Sequence, residues 1–185
     1  VHASTEGCDD GNLLNNDGCS STCQVETGWT CTSAEPSVCT GCSTTRYGGS
    51  EYRYCWGGGT NFANANTACG AWPGGAGTLV GVNDALEQQH ILDSVPPSRD
   101  VWVGGQHNGT NWVWRDGTVF NTGTDPGLTA LYTRWDRGEP NNGSGQCAYL
   151  RATHAMRWDD TGCGANMAYM CERPDTTPIS CGNGV

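Results

Sequence analysis

The sequence predicts an α+β fold with a small irregular module in front of it, and three observations carry that expectation. Two helical patterns lie close together over 62–72 and 83–94. Short aromatic and β-branched runs separated by Gly, Asn and Asp follow them, and the first forty residues are dense in Cys, Asp, Asn and Gly with no sustained apolar period. At 185 residues the chain holds one domain of ordinary size plus an appendage, which is enough for a modest core.

The amino-terminal stretches Cys8-Asp9-Asp10-Gly11-Asn12 and Asp17-Gly18-Cys19-Ser20-Ser21-Thr22-Cys23 are turn chemistry stapled by cysteines. Asp9, Asp10, Asn12 and Asp17 read there as Asx turns rather than a cation cage. The texture changes by Glu51, and a boundary is expected near Gly41. In the first helix Phe62, Ala65, Cys69 and Trp72 fall at three- and four-residue steps on one face, so Cys69 points inward. The second is opened by Asp84 with Glu87 three residues on, a capping-box arrangement, and is closed by Pro96-Pro97. Strands are expected over 101–105, 112–115, 118–121, 147–151, 155–158 and 167–172. Residues 122–145, rich in Gly, Thr, Asp, Asn and Pro, form a loop long enough to suggest a function.

Twelve cysteines in a chain with two Phe imply covalent cross-links that supplement a limited core, and therefore an oxidising compartment. The spacings of Cys19 with Cys23 and Cys39 with Cys42 would suit zinc, but the remaining cysteines are dispersed and no His lies at finger-like spacing. Nine Arg, no Lys and 19 acidic residues give a net charge of -10, which opposes nucleic-acid binding and suits the capture of cations. No apolar run approaches the length of a membrane span. The start at Val1 without a secretion signal reads as a mature or trimmed fragment.

Trp102-Val103-Gly104-Gly105, Trp135, Gly138-Glu139-Pro140-Asn141-Asn142, Cys147, Trp158-Asp159-Asp160, Cys163 and Tyr169-Met170-Cys171-Glu172 resemble, in order and spacing, the C-type lectin-like domain over residues 42–173. The resemblance implies an α+β fold with two helices, small antiparallel sheets and a long calcium-binding loop. It also implies the pairs Cys69–Cys171 and Cys147–Cys163, with Cys42–Cys55 closing the hairpin of the long form. Residues 1–41 resemble a second family, a cysteine-rich repeat of secreted myxobacterial proteins. Residues 174–185 resemble a linker and the start of another such repeat, so the chain reads as a bacterial fragment of a longer array or multimer. Cys31 with Cys39 is favoured, while the three pairings of Cys8, Cys19, Cys23 and Cys181 stay open.

By the same resemblance Glu139, Asn141, Gln146, Asp159 and Asp160 form a single calcium site, with a cis bond before Pro140. Carboxylates and amide oxygens are the hard donors that calcium requires. A sugar ligates the ion through two neighbouring hydroxyls, each giving a proton to a carboxylate and accepting one from an amide. Gln146 and Asp159 depart from the usual acid and amide at their positions, so acid and amide have exchanged places and Gln146 is expected to substitute for the acid. The EPN form, Glu139-Pro140-Asn141, implies mannose-type ligands: mannose, glucose, N-acetylglucosamine or fucose. Trp135 and Tyr132 are the expected sugar contacts, whereas Trp102, Trp112, Trp114 and Trp158 read as core. Gln106, His107, Asn108 and Asn111 stand where an accessory calcium site would need acids. His154 reads as a surface residue, and no catalytic constellation is present. The resulting expectation is a secreted or cell-surface, non-enzymatic module that binds glycans or glycoconjugates through calcium, against a calcium-independent protein-interaction module on the same fold.

Overall fold

One ten-stranded sheet, assembled from segments far apart in the sequence, organises the described residues. The computed structural model describes residues 6–13, 15, 18–122, 131–141 and 146–176. Its elements are β1 (Trp29–Cys31), β2 (Cys39–Tyr47), β3 (Ser50–Thr60), α1 (Phe62–Gly70), β4 (Thr78–Leu79), α2 (Ala85–Ser94), β5 (Val101–His107), β6 (Asn111–Val113), β7 (Val119–Thr122), β8 (Gln146–Arg151), β9 (Arg157–Gly162) and β10 (Met167–Pro174). The main strand order is β1-β2-β3-β10-β5-β6-β7, with β4 on β10 and a β8–β9 ribbon on β5. β10 pairs antiparallel with β3 and parallel with β5, so the carboxy-terminal strand joins the two halves.

Both helices start on side-chain caps. Asn61 accepts from Asn64 N in α1, and Asp84 accepts from Leu86 N and Glu87 N in α2. The reciprocal half of the expected capping box is displaced by one residue, because Glu87 accepts from Asn83 N and from the Tyr52 hydroxyl. The first helix stops at Gly70, two residues short of Trp72, as Ala71 leaves helical geometry ahead of Pro73. The expected strand at Ala155 begins only at Arg157, since Ala155 and Met156 both take positive φ in a tight turn.

Strands β1 to β4 were not legible as strands. In β2 the burial pattern does not alternate, and the strand exists because β1 and β3 supply its hydrogen bonds from either side. It also runs through the boundary expected near residue 41. The amino-terminal segment is accordingly tied to the following domain, with Cys8, Cys19, Trp29 and Cys39 in one buried cluster with Tyr52 and Tyr54. Gly41 permits the close crossing: at its φ of 155°, a Cβ would lie 2.3 Å from the Gly28 carbonyl oxygen.

Disulfides join Cys31–Cys39, Cys42–Cys55, Cys69–Cys171 and Cys147–Cys163, and a fifth joins Cys8–Cys19. The Cys69–Cys171 bridge closes a separation of 102 residues, which restricts the unfolded chain by on the order of 4 kcal/mol in the loop-entropy account. Cys23 has no bridge among the described residues, and Cys181 lies outside them. Asp9 and Asp10 accept from Gly11 N and Asn12 N in Asx turns, while Asp17 lies outside the described residues.

The core centres on Trp158, which is fully buried. Its ring meets Trp114, Phe120, Tyr132 and Trp135 at centroid distances of 5.4 to 5.9 Å. Its indole N–H donates to Gln88 Oε1 of α2 at 2.6 Å. Gln88→Leu would strand that N–H in an apolar core, and urea unfolding is expected to show a loss of roughly 1–3 kcal/mol. Trp158→Ala should cost more, about 3–5 kcal/mol, by opening a cavity.

Candidate functional site

Burial of Trp158 fixes where the next two side chains stand. The segment around Trp135 pairs in parallel with β9: Trp158 N donates to Arg134 O, and Asp136 N donates to Trp158 O. Glu139 N then donates to Asp136 O, and the Glu139-Pro140 bond is cis. The loop therefore delivers Glu139 and Asn141 to the strand that carries Asp159 and Asp160. Asn141 N donates to Asp160 Oδ1 at 2.9 Å, and Asn141 Nδ2 to Glu139 Oε1 at 2.9 Å.

Glu139, Asp159 and Asp160 each offer a carboxylate oxygen within 4.8 Å of the other two, and all three residues are buried. Like charges this close in a desolvated place are unfavourable. Burial, and then Asp159 and Asp160, push the Glu139 carboxyl up to about 7. Glu139 Oε2 is buried with no hydrogen-bond partner among the described residues. The donor set of the three carboxylates is hard and anionic. It fits a calcium-type cation.

Gln146 stands two rungs of the β8–β9 ladder from Asp160. It opens β8 opposite Gly162, on the same sheet face as Asp160, and its buried Oε1 lies over Gly162 with no hydrogen-bond partner among the described residues.

The family model for the lectin C-type domain matches residues 59–173, more than half of the chain. The chain belongs to the C-type lectin domain family. Mouse C-type lectin domain family 4 member E is 30% identical over 107 residues, covering 55% of this chain and 46% of the relative. The chain thus spans about half the length of the first curated relative it matches. Two solved structures share the fold. The C-type lectin domain of murine dendritic cell inhibitory receptor 2 in complex with N-glycan aligns with a TM-score of 0.59 at 20% identity, covering 71% of this chain and 96% of that one. A calcium-independent type II antifreeze protein aligns at 0.58 and 23%, covering 79% and 95%. Members of the family are generally non-enzymatic binding modules.

The lectin domain uses its tryptophans differently from one expectation. Trp135 is only 7% exposed and packs edge-to-face into the core against Trp112, with centroids 4.9 Å apart, so it holds the loop down instead of facing a ligand. Tyr132 is half-buried with its ring edge on Trp158. Trp102, Trp112, Trp114 and Trp158 are buried. Asn108 caps its own turn, His107 packs on Trp112, and Gln106 accepts from Arg115. His154 is an exposed partner of Asp136.

Two site residues had not been singled out from the sequence. Tyr149 OH and Arg151 Nη1 both donate to Asp159 Oδ2, at 3.1 and 2.7 Å. Their two-residue spacing on a strand placed them on one face, but only the β8–β9 register sets Tyr149 opposite Asp159.

The raised Glu139 carboxyl has a sign that can be measured. Its folded form holds a proton more tightly than the unfolded chain does. In the absence of calcium, its contribution to stability therefore falls as pH rises from about 4.5 to about 7. Glu139→Gln should flatten this part of the melting-temperature profile in chelator, which scanning calorimetry from pH 4 to 8 would check.

Proposed function

We propose that this lectin domain binds one calcium ion through Glu139, Asn141, Asp159 and Asp160, assisted by Gln146, and through it the paired hydroxyls of a mannose-type glycan. The observation that carries the reading is the buried triad of carboxylates within 4.8 Å, a costly arrangement unless a cation neutralises it. Bound calcium would supply positive charge and open coordination positions for two sugar hydroxyls.

Each residue has a part in this. Glu139 and Asp159 accept hydroxyl protons, the Asn141 amide donates to a hydroxyl once Glu139 turns toward the ion, and Gln146 supplies a second amide. Asp160 anchors the loop through Asn141 N while presenting charge to the ion. Mannose, glucose, N-acetylglucosamine and fucose all offer a suitable diol. Five disulfides among the described residues support an oxidising, secreted or cell-surface setting. Among the described residues no helix is long and apolar enough to cross a membrane. A cysteine-rich segment ahead of the lectin domain suits a longer array, in which weak single sites gain by effective concentration.

One observation favours a second reading, a calcium-independent protein-interaction module. Arg151 already pairs with Asp159 and supplies part of the missing positive charge from within. Calorimetry with calcium, followed by glycan-array binding with and without chelator, separates the two. We expect saturable 1:1 calcium binding, chelator-sensitive glycan binding, and a loss of both on Asp160→Asn. Gln146→Ala should weaken calcium and sugar binding about tenfold. Chelator-insensitive binding to proteins, with no calcium heat, would replace this reading by the second.

A further inference from the structure

We infer that Arg151 makes this site selective for sugars bearing an oxyanion, a carboxylate or a sulfate ester, next to the calcium-ligating diol. The inference rests on the calcium-and-sugar reading above and adds to it the charge class of the ligand.

Arg151 closes β8 and reaches Asp159 with one guanidinium nitrogen, Nη1, at 2.7 Å. That single contact, shared with the Tyr149 hydroxyl on the same oxygen, is its only side-chain hydrogen bond among the described residues. A guanidinium carries five N–H donors in a planar fork, so most of this one is uncommitted. Burial separates the two partners: the Asp159 side chain is 7% exposed and that of Arg151 35%. The guanidinium is thus held to the site through Nη1 while part of the side chain meets solvent.

The charge balance points the same way. Three carboxylates outweigh a divalent cation by one negative charge, and Arg151 cancels it. Asp100 also lies near the guanidinium, so net charge around the loaded site does not by itself attract an anion. The rest of the protein would repel one, since the net charge is -10. Attraction must therefore come from short-range, geometrically matched bonds, of which the two-pronged guanidinium–carboxylate or guanidinium–sulfate pair is the strongest available. The amide exchange strengthens the case. An acid at 159 has no N–H to give a ligand, and Arg151, fixed on that acid, restores donors at the same corner of the site.

A residue that merely propped Asp159 would give a different result. The test compares methyl α-mannoside, the corresponding mannosiduronate and the 6-sulfate, titrated into the whole chain with calcium at about 0.15 M salt, where charges beyond roughly 8 Å are screened. At least one acidic ligand is expected to bind about tenfold more tightly than the neutral one, and the two acids show whether the site prefers carboxylate or sulfate. In Arg151→Gln the acid-to-neutral affinity ratio should fall to about one, with Arg151→Lys keeping only part of it because an ammonium lacks the fork. Equal affinity of all three ligands for the native chain overturns this inference alone. So does an Arg151→Gln variant that loses neutral and acidic ligands in the same proportion. If none of the three binds in the presence of calcium, the sugar-binding reading fails and takes this one with it.

Discussion

The interaction on which the rest depends is the burial of Trp158 between the loop that ends at Glu139 and helix α2. Its ring is packed against four aromatic residues, and its one polar atom is satisfied by Gln88. A large indole with a satisfied N–H is both a heavy contributor to the core and an orienting peg. Because the ring is locked, the backbone on either side is locked, and the parallel bridge to Trp135 follows. The two acids after Trp158 then have little choice of position. The same residue that stabilises the fold thus aims the site, and Trp135 acts as its counterpart on the loop side.

The site itself runs against stability. Three carboxylates crowded in a desolvated corner leave Glu139 partly protonated near neutral pH in the absence of a cation. The surrounding structure sustains the arrangement by hydrogen bonds: Asn141 is held by Asp160 and Glu139, and Asp159 by Tyr149, Arg151 and the Asp160 N–H. The Cys147–Cys163 bridge closes one end of the β8–β9 ribbon and Cys69–Cys171 ties α1 to β10, and both restrict the unfolded chain. Arg151 is the component that departs from a site read simply as an acid-and-amide cage, because it brings a cation of its own.

Much of this was legible in the residues. The helix faces, the Asp84 cap, the buried tryptophans and the acids flanking the loop all follow from local pattern, because side-chain periodicity and capping act over a few residues. The strands before α1 did not follow. β2 has no alternation to read, and β10 reaches it only through β3 across more than a hundred residues. Trp135 looked like a ligand contact from its place beside the loop, yet its partners Trp112 and Phe120 lie on other strands and draw it into the core.

The sequence by itself determined the disulfide-rich α+β class and the acidic residues of two triplets, because residue type and short spacing specify hydrogen-bonding chemistry. Tertiary structure alone decided that the amino-terminal segment shares a strand with the lectin domain, that Gln146 stands two rungs from Asp160, and that Tyr149 and Arg151 hold Asp159. Those facts depend on strand register and on contacts between distant segments, which no local pattern encodes.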